Sequence, residues 1–427
     1  MPSPVPTHPS YGALIRSTPF VVGAWLVTAA YFVSVFFQHG YAPGFYAQSR
    51  TAEDVVVYIE GARGLWNSPN LYLEEINIAE DTQLPFSYPP TALLFFQPLA
   101  LLSWGHGWFV VNAISVACLW WIIVLTLRRF ASPHPLAWAS LLMPIALCVD
   151  SVHNTLYHGQ INLILLALVL TDLWLDSPRI RKVLPRGVLI GIAACVKMIP
   201  AIFILYFALR REIKPILVMV TTAFASFAIV GLIKFELVRY YFSTQLGKMT
   251  ETLGQNRSHN LSLHSVGARY VPESARSFAT CLLITAVLVI AIAAFVRLQR
   301  AGATEAAGVA IGYLGLMLAP ISWQHHFVWE VPLLIILGIC TWRRAEPRLL
   351  ALLLAWLSVT TVFIPHRHFP DALSANPEGY TLVHLAQSSV LVLSIVTLIA
   401  LCYFAPQLVA STEPHPQTEA TPTPAEA

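Results

Sequence analysis

Asp54 and Tyr58 stand four residues apart in the stretch TAEDVVVYIEGARGLW, where residues 51–66 have helical spacing. Residues four apart on a helix share a face. A carboxylate on such a face, held at a membrane surface, is a candidate general base; the plainer account is a solvated acidic face. His325 and His326 adjoin in APISWQHHFVWEVP, beside Pro320, Trp323 and Trp329, with Glu330 one turn further. Ionisable groups at membrane depth are costly and mark functional sites, although His and Trp are also interfacial anchors. A second His-rich stretch, DSVHNTLYHGQIN, covers residues 150–162. Lys197 lies in AACVKMIPAIF, where a cation must snorkel, pair or bind an anion; a lipid phosphate suits it. The stretch GKMTETLGQNRSHNLSLHSVGARY sets Lys248, Arg257 and Arg269 among Asn and Ser. It suits sugar hydroxyls and a phosphate, or is an ordinary surface loop.

The chain around these residues is 56% hydrophobic and 11% charged, against about 25% charged in soluble domains. Its apolar residues come in runs of about 18 or more, too continuous for barrel strands, so they read as membrane helices. Spans are expected at 20–37, 107–127, 136–150, 159–175, 213–233, 277–298, 304–320, 326–342, 348–364 and 384–404. Segments 88–103 and 186–210 contain Pro98 and Pro200 and are harder to place. The expected fold is an all-α, polytopic integral membrane protein of about ten to twelve transmembrane helices. It has one domain over residues 20–404, outward loops at 38–87 and 234–276, a cytoplasmic N-terminal tail (1–19) and a disordered cytoplasmic tail (405–427).

Basic residues set the orientation. Arg16, Arg128/Arg129, Arg179/Arg181/Lys182/Arg186, Arg210/Arg211/Lys214, Arg297/Arg300 and Arg343/Arg344/Arg348 cluster between spans and are assigned to the cytoplasm. Segment 38–87, with seven acidic and two basic residues, then faces outward. If every candidate crossed once, some Arg clusters would lie outside. Letting 88–103 and 186–210 dip in and return removes the conflict. The first helix reads as retained, not as a cleaved signal. Cys118, Cys148, Cys195, Cys281, Cys340 and Cys402 lie in apolar runs and read as small core residues. The sequence carries no P-loop, GxGxxG, HExxH, paired CxxC or DxD motif. Neither a metal, a cofactor nor a nucleic-acid partner is expected, and nucleotide-dependent chemistry is disfavoured.

In chain order, Asp54, Tyr58, Leu65 and Tyr72, then FSYPPTALLFFQPLALL, TLYHGQINLILLALVLTD, VKMIPAIFILYFALRR, NLSLHSVGAR and APISWQHHFVW resemble motifs of the glycosyltransferase family 87 mannosyltransferases, in the membrane C-superfamily. The resemblance runs along roughly residues 20–400. Leu261, His264, Ser265 and His153 depart from it, standing where the family usually has Gln, Asn, Gly and Arg. The resemblance implies transfer of mannose from a polyprenyl-phosphate donor to a lipid-anchored glycan, on the outer face of the plasma membrane. Asp54 would be the base. His325, His326, Lys197 and Arg269 would bind the donor phosphate. Tyr58, Tyr88, Gln160, Asn162, Asn260 and Trp323 would contact substrate. One base without a carboxylate nucleophile implies single displacement with inversion, giving an α-mannoside, read as α-1,2, from a β-linked donor. Other readings of the same polar pocket are a transporter or flippase for a lipid-linked sugar, for which the two halves lack the expected repeat, and a membrane polymerase or ligase.

Overall fold

The structure is a computed structural model that describes residues 18–38, 53–79, 82–130, 132–248, 259–364 and 386–410. Arg16, Arg257 and most of both tails lie outside the described residues. In chain order the helices are α1 (Thr18–Gln38), α2 (Glu53–Asn67), α3 (Ala92–Phe96), α4 (Trp104–Arg129), α5 (Pro135–Leu147), α6 (Asp150–His158), α7 (Asn162–Trp174), α8 (Pro178–Val183), α9 (Val188–Val196) and α10 (Phe203–Leu209). They continue with α11 (Ile213–Tyr240), α12 (Leu263–Tyr270), α13 (Glu273–Ala301), α14 (Thr304–Leu318), α15 (Glu330–Arg344), α16 (Pro347–Leu357) and α17 (Ser389–Tyr403). A small antiparallel hairpin, β1 (Glu75–Ala79) and β2 (Thr82–Pro85), pairs Glu75 with Pro85 and is bulged between Asn77 and Ala79.

This is an all-α membrane protein. Among the described residues, α4, the helix running on from α11 to Lys248, and α13 are each long and apolar enough to cross a bilayer. The pair α5–α6, bent by 78°, adds a fourth if it counts as one span. Seven apolar helices are shorter. One of them, Ala92–Leu101, extends only about 15 Å, half the hydrocarbon thickness. The apolar surface that α11 and α13 leave uncovered includes Phe224, Leu232 and Phe278, as a lipid-facing helix requires.

Several boundaries differ from the sequence expectation. Residues 150–158, read as a loop, form α6, because the chain bends at Cys148 and Val149 and then resumes helical bonding. The loop expected from 234 begins as helix: α11 passes Lys234, where φ −151° and ψ 77° kink it, and continues through a π-turn at Tyr241–Gln245. The Lys234 ammonium donates to the carbonyls of Leu65 and Ser68, which holds the kink against the C-terminal end of α2. Residues 405–408, read as part of a disordered tail, form a 3-10 turn with Leu408 buried.

The segment α2 is not an open interfacial face. Val55, Val56, Val57, Tyr58, Ile59, Ala62 and Leu65 are all buried in the protein. Its acidic residues Glu53 and Asp54 occupy the first turn, where the helix dipole favours negative charge. Tyr72 is also buried, and its hydroxyl donates to the Tyr88 carbonyl at 2.8 Å. Trp66 remains exposed and its indole N–H bonds Gln97.

Polar groups gather at two opposite ends of the bundle. At one end of α4, Trp104 donates to Glu60 of α2 at 2.7 Å. At the other, about 39 Å away for 26 residues, Arg129 meets Glu305 at 2.6 Å and Asp176 at 3.2 Å. Arg343 donates to the Phe130 carbonyl, beside that same helix end. Arg186 and Arg210 share Glu212, and Arg210 also bonds Gln299.

Glu305 is 1% exposed and Asp176 is 85% exposed, so the two partners of Arg129 should differ in weight. Removing the buried carboxylate leaves Arg129 only its exposed partner and loses a charged hydrogen bond, at a cost of about 2 kcal/mol; removing the exposed one costs less than about 1 kcal/mol. Glu305→Gln should lower the melting midpoint in detergent by several degrees, while Asp176→Asn should leave it nearly unchanged. Differential scanning fluorimetry of the two variants makes the comparison.

Candidate active site

The site is built where four segments meet: the first turn of α2, the SYPPT turn before α3, the joint between α6 and α7, and the turn before α15. The joint is a glycine-capped helix end. Gly159 adopts φ +66°, its N–H bonds the Leu156 carbonyl at 3.2 Å, and the Gln160 N–H returns to the Thr155 carbonyl at 2.8 Å. A methyl group on Gly159 would stand 2.3 Å from Val55 Cγ2 and 3.1 Å from the Trp108 ring. The glycine therefore satisfies two demands, a left-handed backbone and direct contact with the residue after Asp54.

That contact sets Gln160 against the α2 face carrying Asp54 and Tyr58. The Tyr58 hydroxyl donates to Gln160 Oε1 at 2.9 Å and lies 3.0 Å from the Tyr88 hydroxyl. Tyr88 also reaches Gln160 Oε1, at 3.3 Å. Thr91 donates to the Cys195 carbonyl at 2.5 Å, tying the SYPPT turn to the end of α9, two residues before Lys197. The chain breaks out of helix at Lys197 and resumes as a 3-10 turn over Ile199–Ile202 with Pro200 inside.

Lys197 is turned inward rather than snorkelling. Its Nζ lies 3.0 Å from Asn162 Oδ1 and 2.9 Å from His326 Nε2, and stands 5.7 Å from the centre of the Tyr88 ring. Asn162 Nδ2 and Thr155 Oγ1 both donate to the His325 carbonyl, each at 2.9 Å. These bonds fix the His-His turn to the α6–α7 joint. His325 Nε2 is buried without a hydrogen-bond partner, and the His158 and His325 rings stand 5.4 Å apart.

Asp54 is half-buried. Burial pushes its carboxyl above the ordinary aspartate value of 3.8; His158 when protonated, the Gln160 amide and Lys197 when protonated act in the opposite direction. Among the described residues Asp54 and Lys197 form no salt bridge, and each is held by its own neighbours. A cavity of about 40 Å³ opens from Lys197, Asn162 and His326 along apolar walls that include Leu165, Val169, Phe203 and Trp329.

The other expected residues take different places. Asn260 is fully buried and its side chain is engaged by backbone: Oδ1 accepts the N–H groups of Ser322 at 2.9 Å and Ser262 at 3.2 Å, and Nδ2 reaches the Pro320 carbonyl at 3.5 Å. It pairs as an isolated bridge with Trp323, whose N–H donates to His326 Nδ1 at 3.2 Å. Asn260 and Trp323 thus brace the His-His turn from behind. Arg269, at the end of α12, lays its guanidinium over the Tyr270 ring, and the Tyr270 hydroxyl meets Ser388 at 2.9 Å. His158, Gly159 and Thr155 were not singled out from the sequence. The His-Gly step that ends α6 is a helix-stop signal, but its closeness to Val55 is a tertiary fact. No group of three or more His, Cys, Asp or Glu side chains that could hold a metal occurs among the described residues.

A carboxylate with a raised proton affinity facing an amine–imidazole pair, at one end of a helical membrane bundle, can take up a proton on one wall and hold an anionic group on the other. The chain belongs to glycosyltransferase family 87, whose sequence model matches residues 86–320. It is 30% identical over 377 residues to a "Polyprenol-phosphate-mannose-dependent alpha-(1-2)-phosphatidylinositol mannoside mannosyltransferase" of Mycolicibacterium smegmatis, covering 81% of this chain and 84% of the relative. It is 31% identical over 327 residues to the protein so named in Mycobacterium tuberculosis, covering 71% and 74%. A "pentamannoside mannosyltransferase" of the same name type from Mycobacterium tuberculosis is 31% identical over 318 residues, covering 73% and 72%. No solved structure matches. The protein is therefore a polyprenol-phosphate-mannose-dependent mannosyltransferase, and the transporter and polymerase readings give way.

Two outcomes follow from this geometry. Gly159→Ala should lower turnover at least about tenfold, since displacement of a catalytic group by about 1 Å is costly; kcat of the purified variant measures it. If Asp54 must be ionised to act, activity should rise with pH through a value above 3.8. His158→Gln removes the largest charge that opposes the effect of burial, so the acid limb of the kcat/KM profile should move to higher pH.

Proposed function

We propose that this enzyme transfers mannose with inversion from polyprenyl-phosphate-mannose to a hydroxyl of a lipid-anchored mannoside, forming an α-1,2 linkage on the outer face of the plasma membrane. The observation that carries the reading is the division of the site between Asp54 on one wall and the Lys197–His326 pair on another. Inverting transfer needs a base for the incoming hydroxyl and a separate anchor for the departing phosphate.

Asp54 accepts the proton of the acceptor hydroxyl as its oxygen bonds to the anomeric carbon. The bond from that carbon to the phosphate oxygen breaks, and the polyprenyl phosphate leaves with the electron pair. Lys197 and His326 hold the phosphate, and the cavity beside them takes the apolar part of the carrier. His325 Nε2, buried and unpaired, is a donor or acceptor for a phosphate or sugar oxygen. Tyr58, Tyr88 and Gln160, already joined by hydrogen bonds, present a rigid polar wall to the mannose.

The acceptor class and the linkage rest on the relatives, which are named alpha-(1-2)-phosphatidylinositol mannoside mannosyltransferases. Support for the outer face comes from charge. Arg129, Arg186, Arg210 and Arg343 gather about the end of the bundle opposite Asp54, and basic residues favour the cytoplasm.

The decisive assay incubates purified protein with radiolabelled polyprenyl-phosphate-mannose and a phosphatidylinositol mannoside acceptor. Wild type should yield a product sensitive to an α-1,2-specific mannosidase, and Asp54→Asn should lose at least about a thousandfold in kcat while still binding donor. Turnover retained in Asp54→Asn would remove Asp54 from the mechanism, and a mannosidase-resistant product would reject the linkage. For orientation, Arg128→Cys should be labelled by an impermeant maleimide only after the cytoplasmic side is opened; labelling of intact cells would reverse the assignment.

A further inference from the structure

The hydrogen bonds around Lys197 leave little choice about where protons sit. The Trp323 N–H donates to His326 Nδ1 at 3.2 Å. A neutral imidazole has one N–H and one lone-pair nitrogen, so the His326 proton is on Nε2. That nitrogen lies 2.9 Å from Lys197 Nζ. An N–H aimed at Nζ requires a lone pair there, which an amine has and an ammonium lacks. On the other side Asn162 Oδ1 faces Nζ at 3.0 Å. The orientation of that amide is set by Nδ2, which donates to the His325 carbonyl. Nζ therefore donates to Asn162 and accepts from His326, as a neutral amine does. The surroundings agree, because no salt bridge reaches Lys197 among the described residues and a buried unpaired cation is costly.

We infer that Lys197 is an uncharged amine in the empty site and that binding of the donor's phosphodiester takes up one proton there, so that carrier recognition is coupled to protonation of Lys197. This rests on the proposed placement of the donor phosphate at Lys197. The phosphodiester brings one negative charge. The amine gains a proton from solvent, becomes an ammonium and donates to a phosphate oxygen. His326 keeps its proton on Nε2 and turns it from Nζ to the same phosphate. The only bond formed is the new N–H of the ammonium, its proton drawn from solvent, and the net charge of the site is unchanged, one added proton against one added negative charge.

The coupling would separate recognition from non-specific attraction. A pocket without a resident cation does not gather the many anionic lipids around the protein, and the cation forms only against a phosphate seated deeply enough to share Asn162 and His326. Other titratable groups face the same space: Asp54 from α2, Tyr88 from the SYPPT turn, His158 from α6, and His325 and His259 beside the His-His turn. The test must therefore tell Lys197 from them.

The experiment is titration calorimetry of the full-length protein in detergent with polyprenyl-phosphate-mannose, without acceptor, in two buffers of different ionisation enthalpy. A phosphodiester keeps one charge across neutral and alkaline pH, so the ligand contributes no protons. Wild type should take up about one proton per donor bound, and its Kd should rise by up to about tenfold per pH unit on the alkaline side. Lys197→Arg, charged at all accessible pH, should bind with little or no proton uptake and a flat pH dependence. Binding by wild type with no proton uptake at any pH from about 6.5 to 9 would overturn the inference alone. Uptake of a full proton persisting in Lys197→Arg would also overturn it, by assigning the proton to Asp54 or a histidine. Absence of donor binding by wild type would overturn the donor-site assignment as well.

Discussion

A carboxylate and an amine, the base and phosphate anchor of the proposed mechanism, must be kept a short distance apart inside a medium of low dielectric, where opposite charges attract strongly and would otherwise close on each other. The rest of the site depends on preventing that collapse. Asp54 is held by the rigid first turn of α2, whose dipole suits a carboxylate. Lys197 is held by Asn162 and His326 on other elements. With each group fixed by its own partners, the space between them stays available to a sugar.

Fixing those partners consumes most of the polar chemistry nearby. Thr155 and Asn162 tie the His-His turn to the α6–α7 joint through the His325 carbonyl. Asn260 ties the same turn to the chain ahead of α12. Thr91 ties the SYPPT turn to α9. Each bond satisfies a group that the membrane interior could not, so satisfying polar groups and positioning catalytic ones are the same task here. The breaks in helix at Lys197 and Gly159 are tolerated for the same reason: their freed backbone groups are covered by protein.

The bundle separates two kinds of charge by the length of α4. Arginines at the far end are paired with Glu212, Glu305 and Asp176 and anchor the helix ends. The near end holds Asp54, Lys197 and histidines with bonds that leave room for substrate. In the proposed reading, membrane insertion follows the first set and chemistry uses the second.

The sequence by itself determined the class. Long apolar runs with sparse charge admit little but membrane helices, and Asp54, Lys197 and the His-His pair were conspicuous because ionisable residues are costly in such a chain. Their neighbours in sequence also told that Tyr58 shares a face with Asp54, since helical periodicity is local. The structure decided what periodicity cannot carry. Asp54 and Gln160 are brought together by a left-handed Gly159 pressed on Val55, a contact across more than a hundred residues. Asn260, legible as a polar loop residue, is instead spent on backbone behind the site. Tyr72, whose type suits an interface, is buried, and His158, one histidine among fourteen, matters because α6 is a helix that ends beside α2. Composition and period report how a segment partitions between lipid and protein. Which polar group meets which is fixed by packing between segments distant in sequence, and only the folded bundle contains that information.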